Sequence, residues 1–127
     1  NERYFYDYEC DKEAHPLGVD PSRIRDLTAK VDLMVKDSVT TSNFYRPFMD
    51  IEFNIDTTGI ISKFHLNYFN PELEWNKPYE EKLFQEGILR IKKYPIWVPG
   101  KINGIKVPTR HNVRVFFEGV DYIHRKE

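Results

Sequence analysis

The chain has 127 residues, with 19 Lys and Arg against 20 Asp and Glu and a net charge of −1, so no global field draws it to nucleic acid or to an anionic membrane surface. Its length is that of one domain, burying about two thirds of the surface its unfolded form exposes, a core that requires no cofactor. Cys10 is the single cysteine, which excludes an intramolecular disulfide and leaves the redox compartment unread.

No stretch approaches the roughly 20 apolar residues of a membrane span, and no secretory signal pattern is present. Because the chain begins at Asn1 without Met, the expectation is a mature or trimmed product from which an N-terminal anchor or signal has been removed.

In chain order, Tyr4 to Glu9 mixes aromatics with charge and reads as either a short strand or an extended arm. Asp20-Pro21-Ser22 is a helix start, Asp20 as N-cap and Pro21 in the first helical position. Ile24, Leu27, Val31, Met34 and Val35 recur at spacings of three and four, which predicts an amphipathic helix to about residue 37 packed on the domain's own sheet. A polar loop follows over 37–43. Met49, Ile51, Phe53 and Ile55 then alternate with Asp50, Glu52, Asn54 and Asp56, the period of a strand with one buried face.

Thr57-Thr58-Gly59 turns the chain back, and the broken alternation of Ile61, Phe64 and Leu66 places a bulge near Ser62 and Lys63. A loop over 70–78 holds Trp75. Glu80 and Glu81 at the start and Lys92 and Lys93 at the end complement the dipole of a helix whose inner face is Leu83, Phe84, Gly87, Ile88 and Ile91. Pro95 stops that helix. Pro99-Gly100 suits a type II turn, Asn103-Gly104 between Ile102 and Ile105 is a hairpin signal, and Trp97 can pin the connection to the body. Val113, Val115 and Phe117 alternate with Asn112, Arg114 and Phe116 in the last strong strand, and the tail 121–127 is a short continuation or disordered.

The run Pro95-Ile96-Trp97-Val98-Pro99-Gly100-Lys101-Ile102-Asn103-Gly104-Ile105-Lys106-Val107, with the hairpin pattern of 53–66 before it, resembles the C-terminal domain of TonB, the periplasmic energy transducer, over roughly residues 45 to 118. Pro95, Trp97, Pro99, Gly100, Lys101, Asn103, Gly104 and Val107 carry the motif. Two departures stand out: Val113 is followed by Arg114 where many members have Pro, and Gly87 stands where a small residue such as Ala is usual. The resemblance implies a periplasmic interaction module that binds an extended peptide of an outer-membrane transporter, the TonB box, by strand addition to His111, Asn112, Val113, Arg114, Val115, Phe116 and Phe117. If the arm of residues 4–9 covers that edge, the expectation changes to a stand-alone, self-covered periplasmic or lipid-anchored module with no transducing role.

For catalysis the pattern is poor. His15, His65, His111 and His124 are scattered, with no i, i+4 pair and no cysteine cluster for a metal, and no Gly-x-Ser-x-Gly turn or phosphate loop is present. Glu52 and His65 can face each other across the first hairpin as a surface pair.

The expectation is therefore an α+β fold, a small antiparallel sheet of about three strands with helices packed on one face. Residues 1–40 form an arm and amphipathic helix, and residues 41–127 the TonB-like domain. No catalytic residue, metal or cofactor is assigned; exposed edges permit a homodimer by strand exchange. The remaining alternative is a small α+β ligand-binding domain or enzyme.

Overall fold

The computed structural model describes residues 3–24, 26–37, 47–70 and 77–124. Its elements are β1 (Phe5–Tyr6), β2 (His15–Pro16), β3 (Asp26–Asp37), β4 (Phe48–Ile55), β5 (Ile61–Asn70), α1 (Lys77–Lys92), β6 (Trp97–Val98), β7 (Lys101–Ile102), β8 (Ile105–Lys106) and β9 (Thr109–His124), with 3₁₀ turns at Asp7–Glu9 and Pro21–Arg23. Of the expected loops over 37–43 and 70–78, Asp37 and Asn70 end strands and residues 77–78 open the helix, while 38–43 and 71–76, Trp75 included, lie outside the described residues; of the tail 121–127, residues 121–124 continue β9 and 125–127 lie outside.

The period-two pattern of β4 buries Met49, Ile51, Phe53 and Ile55, and β4 is paired antiparallel on both sides, with β5 and with β9. Between β4 and β5 the Asp56 carboxylate ties the turn by accepting from Thr58 Oγ1 at 2.5 Å and from the amides of Thr58 and Ile60 at 2.9 and 3.0 Å. Register shifts from Glu52↔His65 to Asn54↔Ser62, and Lys63 takes a positive φ of 54°. This bulge, where the alternation breaks, bends the outer strand and raises its twist.

β9 joins β4 from Thr109 to Phe116 on one edge. On its other edge β1 pairs in parallel at Thr109 and Arg110, and β3 pairs in parallel from Arg114 to His124. The result is a five-stranded mixed sheet curled into a half-barrel. The long helix α1 lies on one face and buries Leu83 and Ile91. A Cβ on Gly87 would stand 2.5 Å from Ile51 Cδ1, so the missing side chain sets how closely helix and sheet approach. Arg90 Nε donates to the Thr28 carbonyl at 2.9 Å, covering part of the outer edge of β3.

Four expectations are corrected. The fold is not a three-stranded antiparallel sheet under several helices, because β1 and β3 add in parallel and, among the described residues, one α-helix supplies the cover. The amphipathic helix of 20–37 is a strand: Asp20 does cap, accepting from the Ser22 amide at 3.0 Å, but the turn it caps ends at Arg23. Leu27 and Ala29 then alternate inward along β3, whose ladder with β9 satisfies backbone groups that a helix would have bonded internally.

The strand His111, Asn112, Val113, Arg114, Val115, Phe116 and Phe117 is not an open edge, being flanked by β4 on one side and by β1, the 3₁₀ turn and β3 on the other. Gly100 lacks the positive φ of a type II turn. A Cβ there would meet Cys10 Sγ at 2.7 Å and Thr109 Oγ1 at 3.0 Å, so glycine is required by space. Asn103 and Gly104 do take positive φ, 53° and 77°, as the β7–β8 hairpin turn demands.

Candidate functional site

Where β1 leaves the edge of β9 and β3 has not yet joined it, the 3₁₀ turn Asp7–Glu9 fills the gap and brings Asp7 against His111. The turn and the direction of the His111 side chain follow from local sequence; their meeting is tertiary. The Glu9 carboxylate reaches back to the Tyr6 amide at 3.1 Å and pairs with Arg3 at 2.5 Å, closing the turn. His111 shares the inward parity of Val113, Val115 and Phe117 along β9 and so enters the core face.

His111 Nδ1 pairs with Asp7 Oδ2, and Asp7 Oδ1 accepts from the Ala14 amide at 3.1 Å. The ring lies beside Phe53 and Trp97, centroids 5.7 and 5.3 Å away. Trp97 is 2% exposed and donates through Nε1 to the Tyr94 carbonyl at 2.7 Å, with Phe53 edge-on at 5.0 Å. The imidazole is thus clamped by two aromatic rings and oriented by a carboxylate. In the neutral tautomer whose Nδ1–H donates to Asp7, Nε2 is an acceptor, and among the described residues no hydrogen bond engages it. The side chain is 9% exposed.

His111 and Asp7 open onto a cleft of about 290 Å³ completed by Glu13, Ile24, Asp50, Asn112 and Arg114. Asp50 and Arg114 stand opposite each other on β4 and β9 and pair through two bonds of 2.9 and 3.2 Å. The hydrogen bonds from Asp50 push the Arg114 guanidinium above its ordinary pKa, and its plane covers Phe48 at 4.1 Å. Asn112 accepts from Asn67 Nδ2 at 3.2 Å, which also donates to Glu52 at 3.1 Å. Three carboxylates, those of Asp7, Glu13 and Asp50, and one guanidinium line it.

Of the residues expected to bind a partner, His111, Asn112 and Arg114 are brought to this cleft, while Val113, Val115 and Phe117 are buried in the core. Phe116 points to the outer face and packs against Phe48, the rings tilted with centroids 5.3 Å apart. Pro95, Trp97, Pro99, Gly100, Asn103, Gly104 and Val107 do structural work: Trp97 is core, Val107 donates to the Gly100 carbonyl at 3.0 Å, and Gly100 donates to Thr109 Oγ1 at 2.7 Å. Glu52 does face His65 in register, yet its carboxylate serves Asn67 and Arg110. Burial, aided by Asp7, Glu9 and Asp11, pushes the Cys10 thiol up, so Cys10 is a poor nucleophile. Asp7 was missed because its partner is 104 residues away; the local hint was the 3₁₀-forming Asp7-Tyr8-Glu9.

Among the described residues no helix is long and apolar enough to cross a membrane. Comparisons with family models, with curated proteins and with solved structures give no match. The resemblance to the TonB C-terminal domain is accordingly corrected. The run from Pro95 to Val107 is local turn and packing chemistry, the strand assigned to the TonB box is paired with β4 on one side and flanked by β1, the Asp7–Glu9 turn and β3 on the other, and nothing supports energy transduction. What stands is a compact α+β domain whose strand β9 is covered by its own chain.

Proposed function

We propose that the protein is a small-ligand-binding module, not an enzyme, and that its cleft takes a small cation bearing N–H donors, an ammonium or guanidinium compound. The observation that carries this reading is His111: nine-tenths buried, held through Nδ1 by Asp7, and lining a cleft with the carboxylates of Asp7, Glu13 and Asp50. A cationic donor suits the carboxylates of this lining and an accepting Nε2 of a neutral His111, whereas an anion meets Asp7 and Asp50 first. Orientation comes from the network around it, since Arg114 and Asn112 are already held by Asp50 and Asn67.

Amide and imidazole NMR of the labelled protein titrated with agmatine, putrescine and, as an anionic control, acetate tests this reading. Saturable shifts at Asp7, Asn112 and the His111 ring with the cations, weakened about tenfold or more by Asp7→Asn, are expected, because removing a charged hydrogen-bond partner costs about 1.5–3 kcal/mol. Shifts from acetate alone, or shifts spread evenly over the surface, refute it.

A further inference from the structure

On the other side of Glu13 and Pro21, the sequence places like charges where physics disfavours them. Lys12 bridges Lys101 through reciprocal backbone bonds of 3.0 and 3.3 Å, and Lys101 is opposite Lys106 in the β7–β8 hairpin. Residues directly opposite in antiparallel pairs project to the same face, here with Cα atoms roughly 5.5 and 4.5 Å apart. Three ammonium groups therefore form one row. Like charges directly opposite each other destabilise a sheet, and among the described residues none of the three has a carboxylate partner.

Beside this row is a second cleft of about 270 Å³ whose walls are apolar at Pro21, Val98 and Pro99 and which Lys12, Glu13, His15 and Lys101 border, with Lys106 outside the lining and reached across the hairpin from Lys101. β2 and β6 pair His15 with Val98 to build its base. The stem of the hairpin is fixed by the Val107 amide to the Gly100 carbonyl at 3.0 Å and by the Asn103 amide to Asp11 Oδ2 at 2.6 Å, so the row is presented from rigid backbone.

We propose that the lysine row and this cleft form a second ligand site, for a small anion with an apolar body: an aryl or alkyl phosphate or carboxylate whose head lies over Lys12, Lys101 and Lys106 and whose body rests on Pro21, Val98 and Pro99. The anion removes the repulsion within the row, and a phosphate has acceptor oxygens enough for several ammonium groups. The site shares only the Glu13 and Pro21 wall with the cation cleft, and its ligand has the opposite charge.

Amide NMR of the full chain at constant ionic strength, titrated in parallel with phenyl phosphate, inorganic phosphate and phenol, tests it. Phenyl phosphate is expected to shift Lys12, Val98, Lys101 and Lys106 saturably and to bind at least about tenfold more tightly than either fragment. Lys101→Gln and Lys12→Gln should each weaken it several-fold while Lys82→Gln, on the exposed side of α1, does not. Equal weakening by Lys82→Gln, binding of inorganic phosphate as tight as phenyl phosphate, or the absence of saturable shifts overturns the proposal. Lysine-dependent binding to phosphatidic acid vesicles without a response to soluble phenyl phosphate also overturns it, by assigning the row to a lipid surface. Agmatine binding is unaffected by the lysine substitutions, so the two sites fail separately.

Discussion

Replacing Gly59 with Ala tests whether the β4–β5 turn is held onto the rest of the domain by backbone contact. Gly59 has φ +90°, and a Cβ there would overlap the Trp97 carbonyl oxygen. Its own carbonyl accepts from the Trp97 amide at 3.0 Å, and Ile60 bridges Ile96 next to it. Two costs are superposed, the strain of a left-handed backbone and the displacement of a paired main-chain segment. Gly104 separates them: it has φ +77° and nothing within 4 Å of a built Cβ.

Gly104→Ala is therefore expected to cost about 1–2 kcal/mol, the left-handed term alone. Gly59→Ala adds a broken contact and a shifted strand, for a total of about 3–4 kcal/mol. Urea unfolding of both variants measures the difference, with equal m-values confirming that the denatured state has not changed. If the two cost the same, the docking of the turn against Trp97 contributes nothing, and the account of how β6 is held to the sheet fails.

Trp97→Ala should lose about 3–5 kcal/mol, since the indole is buried against Phe53 and His111; a loss near 1 kcal/mol by thermal or urea unfolding contradicts its placement in the core. Gly87→Ala alone should be near neutral, because about 1 kcal/mol of helix propensity is offset by the encounter with Ile51 Cδ1. In an Ile51→Val background that atom is gone and the same substitution should stabilise by about 1 kcal/mol; an additive cycle refutes the contact. The Asp56 carboxylate is held below its usual pKa by the Thr58 hydroxyl first and then by the Ile60 amide. A lowered folded pKa gives stability that is present above the unfolded value of about 3.9 and is lost as pH falls through the folded one. Asp56→Ala should accordingly be less stable than the parent at pH 7, with the gap closing below about pH 4; a gap constant with pH excludes this linkage.

The residues 20–37 show where sequence reasoning and structure part. Leu27, Ala29, Val31, Leu33 and Val35 alternate as cleanly as Ile24, Leu27, Val31, Met34 and Val35 fall on a helical face, so periodicity admits both. The strand wins because the edge of β9 offers Asp26–Asp37 a ladder. Its bulge after Lys30 fits only where Gly119, φ +93°, leaves room for the Val31 carbonyl. The candidate cleft was legible in part: parity along β9 put Asn112 and Arg114 on the outer face, but the same strand was taken for an open edge because β3, which pairs with it from Arg114 on, lies nearly 90 residues earlier.

The sequence by itself determined what is local: the period-two strand β4, the turn at Asp56 to Gly59, the bulge at Lys63, the helix ended before Pro95, and the Asn103-Gly104 hairpin. Each is set by side-chain periodicity or by φ preferences within a few residues. Only the tertiary structure decided that β1 and β3 add in parallel to β9, that Asp7 meets His111, and that Lys12 completes a row with Lys101 and Lys106. These are contacts between distant segments, selected by the need to pair the backbone of an exposed strand, and no short-range pattern encodes which distant segment answers that need.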